Sequence, residues 1–185
     1  MTNTYVGLHK WYQQLQQRCA GSEIIDEIRN RMRVESDPEA LRSLEFILAD
    51  EFRQQERYRE AEGVLLDISE RSPAEPYPLI ALAEQKLYYE GRLEEALEIV
   101  EKALERARAS GTFRRNALGM KARIAEKLRR YDLISGILRE ILTMKGSVRL
   151  VDVGVERDFV DRLPAGVIEA ELLQEYDEFC RRGAS

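Results

Sequence analysis

Apolar residues recur at steps of three and four along almost the whole chain, which is the spacing of helices that bury one stripe of side chains. The first stripe consists of Tyr5, Leu8, Trp11, Tyr12, Leu15 and Cys19, and the second of Ile24, Ile25, Ile28 and Met32. The strict alternation typical of strands is nearly absent. The pattern therefore predicts an all-α protein built from successive amphipathic helices.

Turn-forming residues divide this pattern into helices of about 10–18 residues. The predicted breaks lie at Gly21-Ser22, Gln55-Glu56, 72–78, Glu90-Gly91, Ser110-Gly111 and Arg129-Arg130. We expect Ser22 to cap the second helix, and Asp37 to cap the third with Pro38 in its first turn, where a missing N–H is harmless. All five prolines lie at predicted helix boundaries.

A helix–turn–helix segment occurs three times in the sequence. The turn at 57–61 aligns with 92–96 and with 130–134, at offsets of 35 and 38 residues. The aligned columns are apolar, with Phe52, Leu87 and Ala125 before the turn and Ala61, Ala96, Ile134, Leu65, Val100, Leu138, Ile68, Ala103 and Ile141 after it. The additional residues of the second interval lie between Ala103 and Leu118, which predicts a longer second helix there.

Ala61 and Ala96 are small residues directly after the turns. Two antiparallel helices joined by a short turn approach each other most closely at this position, where a large side chain would hold them apart. We therefore expect a bulky or charged substitution at either alanine to destabilise the protein.

These columns resemble the tetratricopeptide repeat (TPR) family, whose unit of about 34 residues is a pair of antiparallel helices. The matching residues are Leu48, Ala49, Phe52, Ala61, Leu65 and Pro73 in the first unit, the turn 90–97 in the second, and Ala122 and Tyr131 in the third. Ala83 and Glu84 in the second unit, and Lys121 and Ile134 in the third, depart from the family pattern. The resemblance covers about residues 42–145 and implies a TPR-like right-handed superhelix, an α-solenoid.

The expected organisation is a single domain over residues 1–185, because solenoids need capped ends. It consists of an N-terminal helical cap at 1–37, three TPR-like helix pairs at 38–145, and a connector with a C-terminal capping helix at 146–185. Ile168, Leu172, Tyr176 and Phe179 form the apolar stripe of that last helix. The β-branched run Val148–Val155 is expected to be an extended connector, with pairing across a dimer or with a bound peptide as the alternative.

Composition fits a globular protein, with 185 residues that are 44% hydrophobic and 34% charged. No apolar run reaches the roughly 18–20 residues of a membrane span, and the start of the chain lacks the layout of a signal peptide, so we expect a cytoplasmic protein without membrane contact. In that compartment Cys19 and Cys180 are expected to be buried free thiols.

Charge is distributed unevenly around the net value of −5. Residues 101–145, called here the basic block, contain 12 basic and 5 acidic residues, a net charge of +7. Such a block can neutralise nucleic-acid phosphates or attract acidic proteins. Because its basic residues are interleaved with apolar residues at helical spacing, we favour structural or protein-partner use over nucleic-acid binding.

Residues that could form a catalytic constellation are not apparent in the sequence. His9 is the sole histidine, the carboxylates are dispersed at helix-surface spacing, and there is no Gly-rich phosphate loop, HExxH, CxxC or GxSxG motif. We therefore expect no enzymatic activity, no cofactor and no metal site.

The TPR resemblance implies a groove lined by the first helix of each unit, a surface that family members commonly use to hold an extended peptide or a helix. The positions it assigns to this groove are Phe46, Asp50 and Gln54, then Ala81, Gln85 and Tyr89, then Gly119, Arg123 and Lys127. We expect a peptide-like partner with a negative segment near Arg123 and Lys127 and an anchor near Tyr89. The alternative for Tyr89 is packing between helices.

The predicted function is a non-enzymatic protein–protein interaction scaffold or adaptor that binds a peptide or helical segment and that could form a homodimer through an apolar cap. One alternative is a secretion-type or assembly chaperone. The other is a nucleic-acid-associated regulator that uses the basic block.

Overall fold

The computed structural model describes residues 4–144 and 157–183, and every regular element in these ranges is helical. The prediction of an all-α protein is therefore confirmed for this part of the chain. The helices are α1 (Thr4–Arg18), α2 (Ser22–Val34), α3 (Pro38–Gln54), α4 (Tyr58–Arg71), α5 (Tyr77–Gln85), a π-helical turn (Lys86–Glu90) that continues α5, α6 (Leu93–Ser110), α7 (Arg114–Lys127), α8 (Tyr131–Leu142), α9 (Arg157–Asp161) and α10 (Ala170–Gly183).

The chain forms two compact units, Met1–Ser72 and Pro73–Ser185. In the first unit, α3 packs against α1, α2 and α4, and Ile28, Leu44 and Phe52 lie in its core. In the second unit, α6 packs against α5 and α7, α7 also contacts α5 and α8, and α8 contacts α10. The organisation as a single domain with two caps stays a prediction.

Two helix starts were predicted with a named cap, and they have different outcomes. Asp37 caps α3 as expected, since its Oδ1 accepts the backbone N–H of Glu39 at 3.0 Å and Pro38 occupies the first turn. The prediction for Ser22 is wrong, because Gly21 holds the cap position of α2 without a side-chain hydrogen bond. The φ of Gly21 is 57°, a left-handed conformation that glycine adopts without steric strain.

The predicted breaks between α3 and α8 are confirmed, and the three repeated turns share one backbone form. Each contains a residue with positive φ, followed by an arginine that precedes the next helix. These pairs are Glu56 and Arg57, Gly91 and Arg92, and Arg129 and Arg130. The repeat in the sequence therefore corresponds to a repeat in local geometry.

A hydrogen bond closes each of these turns. The arginine N–H donates to a carbonyl of the preceding helix, from Arg57 to Phe52 at 2.8 Å and from Arg130 to Ala125 at 2.8 Å. In the middle turn Arg92 donates to Lys86 at 2.9 Å, one residue further back. The π-helical turn contains the additional residue that lengthens this connection.

The aligned apolar columns of the three repeats are buried at every position. Ala61 and Ala96 are fully buried after their turns, as their small size predicts. α6 has 18 residues whereas α4 has 14, so the longer second helix of the second repeat is confirmed.

The predicted helical pair at the N-terminus is present as α1 and α2, and the predicted last helix as α10. Leu172 and Tyr176 are buried in its stripe and Phe179 is partly buried, whereas Ile168, also buried, lies before the first residue of α10. The Val148–Val155 run lies outside the described residues. Cys180 is buried and Cys19 is partly buried, both as free thiols. Among the helices described, none has the length and apolar character required to cross a membrane.

Candidate functional site

The predicted groove residues of the first unit lie on α3. Phe46 is partly buried, Asp50 forms an ion pair with Arg53, and Gln54 is exposed. Gln54 accepts a hydrogen bond from Gln16 at 3.1 Å, so its amide already contacts α1.

A buried polar network joins α1 to α3, and no pattern in the sequence linked its members. The Tyr12 hydroxyl donates to the buried carboxylate of Glu51 at 2.6 Å and accepts a hydrogen bond from Gln16 at 2.8 Å. Gln55 donates to the other Glu51 oxygen at 2.6 Å. Burial, followed by the hydrogen bond to Glu51, raises the pKa of Tyr12. The network positions α1 on α3.

In the second unit, Gln85 lies in the interior rather than at a surface. The TPR resemblance had assigned it to the groove together with Ala81 and Gly119, and all three are buried. Gln85 donates through Nε2 to Glu90 at 2.8 Å. The physical reason is that α5 packs against both α6 and α7 and then widens into the π-helical turn. Gln85 is therefore corrected from a groove residue to an interior residue.

The π-helical turn is held by an ionic cluster that sequence reasoning missed. The Lys86 side chain is fully buried, and its ammonium lies 3.1 Å from both oxygens of Glu90 and 3.7 Å from Glu95. Burial alone would raise the pKa of Glu90, but hydrogen bonds from Gln85 and Lys86 hold it below its ordinary value. Arg92 pairs with Glu95 at 2.5 Å. The cluster fixes the conformation of this turn.

Two adjacent aromatic side chains on the turn face solvent. Tyr88 is 50% exposed and Tyr89 is 49% exposed. Tyr89 was predicted to be either an anchor or a packing residue, and half of its surface is accessible for contact. Both residues belong to the turn that the ionic cluster holds, and we call them the aromatic pair.

Five basic side chains in the described part of the basic block are paired with carboxylates. Arg108 and Arg114 contact Glu140, Lys121 contacts Glu101, Arg130 contacts Asp132, and Arg139 contacts Glu169. Glu101, Asp132 and Glu140 are already counted in the net charge of +7, so among these pairs only Glu169 compensates the basic block from outside it. The pairs instead divide its cations into those with a carboxylate partner and those without one.

Three basic residues of α7 have no ion pair with any described residue, namely Arg115, Arg123 and Lys127. Asn116, Arg123 and Lys127 are spaced by seven and four residues, which places them on one face of the helix. Arg123 is partly buried and Lys127 is exposed. We call Asn116, Arg123 and Lys127 the α7 stripe. The aromatic pair and the stripe belong to the same unit, in which α5, the helix that the π-helical turn continues, contacts α7.

A cleft of about 570 Å³ lies at the N-terminal end of α7. Its lining residues are Ala107, Arg108, Gly111, Phe113, Arg114, Arg115, Asn116, Thr143 and Met144. We call it the arginine cleft. Asn116 belongs to both the cleft and the stripe, whereas Gly119 and Met120, which lie between Asn116 and Arg123 in the helix, are buried. The sequence signal was the Phe113-Arg114-Arg115 triplet after the Gly111 turn, which the helical pattern did not distinguish from other basic positions.

Phe113 forms one wall of the arginine cleft. Its backbone has a φ of 54°, which is rare for a bulky residue, and its side chain is 42% exposed. Its ring packs against Tyr77 with a centroid separation of 5.3 Å. The cleft therefore presents an aromatic surface beside its guanidinium groups.

Other ionisable residues form no reactive constellation in the described ranges. His9 is exposed and contacts Gln13 at 3.3 Å. A second cleft of about 390 Å³ is lined by Arg139, Glu169, Glu171 and Glu175 among others, and Arg139 pairs with Glu169 at 2.6 Å. In the part of the chain that the structure describes, no group of three or more His, Cys, Asp or Glu side chains could hold a metal ion.

Comparison of the chain with protein-family models, with curated proteins and with solved structures gives no match. The candidate functional surface lies on the second unit and consists of the aromatic pair, the α7 stripe and the arginine cleft.

Proposed function

We propose that this protein is a non-enzymatic interaction module that binds an acidic segment of a protein partner on the α7 stripe. The observation that carries the proposal is that two cations without a carboxylate partner lie four residues apart on one face of α7. Arg123 and Lys127 have no ion pair among the described residues, whereas Arg108, Arg114 and Lys121 are paired with carboxylates. Unpaired cations on one helix face attract a complementary acidic segment and favour its approach.

The aromatic pair supports a protein partner in particular. Tyrosine combines a large apolar surface with a hydroxyl group and is enriched among residues that dominate binding energy at protein interfaces. Tyr88 and Tyr89 could take an apolar side chain of the partner while Arg123 and Lys127 take its carboxylates. The partner is thus proposed to carry both an acidic run and an apolar residue.

The architecture proposed for this function is that of TPR-like helix pairs. The recurring turns between α3 and α4, α5 and α6, and α7 and α8 support it, as do the buried columns on both sides of each turn. The right-handed superhelix of an α-solenoid stays a prediction, and so does the contribution of Phe46, Asp50 and Gln54 to binding.

Fluorescence anisotropy with a labelled Glu-rich peptide of about twelve residues carrying one central Phe tests the proposal. We expect saturable binding to the full chain that is weakened about tenfold or more by Arg123→Glu with Lys127→Glu, because two attractive contacts become repulsive. The matched control is Lys10→Glu with Arg59→Glu, which makes the same change in net charge on exposed residues of α1 and α4. Equal weakening in both double variants would contradict the proposed site.

The nucleic-acid alternative is separated in the same assay. A protein that neutralises several phosphates loses affinity steeply with salt and binds oligonucleotides of any sequence. We expect a single-stranded or duplex oligonucleotide, at the peptide's own concentration, to leave the labelled peptide bound. Displacement of the peptide, with loss of oligonucleotide binding in the Arg123→Glu, Lys127→Glu variant, would favour the nucleic-acid-associated regulator.

A further inference from the structure

Three guanidinium groups line the arginine cleft, and none of its described lining residues is acidic. Arg108 donates to both oxygens of Glu140, at 3.2 and 2.7 Å, and Arg114 donates to one of them at 3.0 Å. Glu140 thus holds two arginines at the cleft. Arg115 has no ion pair with the described residues, and its side chain is partly buried.

The charge at this site exceeds what one carboxylate compensates. The three guanidinium groups and the Glu140 carboxylate that contacts two of them together carry a net charge of +2, while Glu105 and Glu101 act on Arg108 from a longer distance. A phosphate monoester carries about −1.5 to −2 at pH 7, whereas a carboxylate carries only −1. Guanidinium groups also bind phosphate oxygens through paired N–H donors, which a planar fork presents at the correct separation. Charge complementarity therefore favours a phosphate monoester over a carboxylate.

The remaining walls suit the organic part of an ester. The volume of about 570 Å³ lies within the range of roughly 300–1,000 Å³ that is usual for small-ligand sites. Phe113 offers an aromatic face for carbon atoms, and Asn116 offers an amide donor where the cleft meets the α7 stripe. A chain that leaves the cleft past Asn116 would continue along the stripe.

We propose that the arginine cleft binds a phosphate monoester, namely the phosphorylated side chain of a protein partner. The identity of the ligand as a protein rests on the proposed function, because the partner's acidic segment would extend from the cleft along the stripe. Arg115 is the main phosphate contact. Arg108 and Arg114 contribute charge from positions fixed by Glu140.

The test is a titration of the full chain with phenyl phosphate at constant ionic strength, followed by ¹H–¹⁵N NMR. We expect saturable shifts of the amide signals of residues 111–117 and 143. Benzoate, which has the same ring but a single negative charge, should bind at least tenfold more weakly. Equal affinities for phenyl phosphate and benzoate, or the lack of saturable shifts, would overturn the proposal.

Variants locate the site. Arg115→Gln should weaken phenyl phosphate binding at least tenfold, and Arg115→Lys, which keeps the charge but not the fork, should weaken it less. Lys102→Gln is the matched control, since Lys102 is an exposed residue of α6 without an ion pair to any described residue. The affinity of this variant for phenyl phosphate should stay within twofold of wild type. Equal effects of Arg115→Gln and Lys102→Gln would overturn the assignment.

Inorganic phosphate distinguishes the source of the ligand. We expect it to bind at least threefold more weakly than phenyl phosphate, because it makes no contact with Phe113. Equal affinities for inorganic phosphate and phenyl phosphate would assign the cleft to free phosphate. This result would overturn the proposal that the ligand is a phosphorylated side chain of a protein partner. The Glu-rich peptide used above contains no phosphate, so its failure to bind would contradict the proposed function without affecting the outcome for the cleft.

Discussion

The ammonium of Lys86 lies 3.1 Å from both carboxylate oxygens of Glu90, although the Lys86 side chain is fully buried. A charge removed from water in this way is stable only when a partner compensates it. Glu90 is that partner, and Glu95 adds a second carboxylate at 3.7 Å. The two glutamates therefore stabilise the turn that carries Tyr88 and Tyr89.

Replacement of Glu90 is expected to be strongly destabilising. Glu90→Gln leaves the Lys86 ammonium buried with weaker compensation, and we expect the free energy of unfolding to fall by about 3 kcal/mol. Equilibrium urea unfolding at pH 7, followed by far-UV circular dichroism, measures the change. Glu94→Gln, at an exposed position nearby, should change it by less than about 0.5 kcal/mol. Similar values for the two variants would contradict the role of Glu90.

Glu140 is expected to make the free energy of unfolding depend on pH. Burial alone would raise the pKa of Glu140, but hydrogen bonds from Arg108 and Arg114 hold it below the ordinary value of 4.5. A carboxyl whose pKa is lower in the folded state stabilises the fold above its unfolded pKa, and this stability is lost as the pH falls through the folded pKa.

Comparison of wild type with Glu140→Gln at two pH values tests this dependence. At pH 7 the variant should lose about 1–2 kcal/mol of unfolding free energy, since hydrogen bonds to a charged group are replaced by neutral ones. The difference should shrink as the pH is lowered below 4.5 toward full protonation of Glu140. If the difference in unfolding free energy between wild type and Glu140→Gln is the same at both pH values, the charge of the Glu140 carboxylate does not contribute to stability.

The close helix contact after the second repeat turn predicts a steric effect at Ala96. Ala96 is fully buried on α6, so Ala96→Leu adds a bulky side chain to a filled interior and should destabilise the protein by about 1–3 kcal/mol. Glu98→Leu introduces the same side chain at an exposed position of α6 and should have little effect on thermal unfolding. Comparable melting temperatures for the two variants would argue against close packing at Ala96.

The Tyr12 hydroxyl is expected to stabilise the first unit through Glu51. Tyr12→Phe removes the donor that lies 2.6 Å from the buried carboxylate, and we expect a loss of about 1–3 kcal/mol. The sole tryptophan of the chain, Trp11, lies beside Tyr12, so its fluorescence reports the urea unfolding of this unit. Tyr88→Phe, at a half-exposed hydroxyl, is the control and should leave the midpoint unchanged.

Local sequence chemistry predicted the helices and turns because each depends on neighbours along the chain. Apolar spacing predicted α1 to α8 and α10, and the repeated turn sequence predicted the similar geometry at Arg57, Arg92 and Arg130. The caps differed because Asp37 acts through its own side chain, whereas the start of α2 depends on the conformation of Gly21.

The functional surface could be predicted only in part, because it depends on contacts between residues distant in sequence. The burial of Gln85 follows from the packing of α5 against two helices and from the π-helical turn, neither of which a regular repeat pattern contains. The pairing of Arg108 and Arg114 with Glu140 spans 32 and 26 residues. This pairing separates Arg108 and Arg114 from Arg115, Arg123 and Lys127, which have no ion pair with any described residue.

A charge-swap titration tests the proposed recognition by the α7 stripe most directly. The Glu-rich peptide should bind wild type, and a peptide with Lys in place of each Glu should bind only the Arg123→Glu, Lys127→Glu variant, measured by anisotropy at equal ionic strength. Restored binding in this swapped pair is the predicted result. Equal affinity of the Glu-rich peptide for wild type and variant would contradict recognition by Arg123 and Lys127.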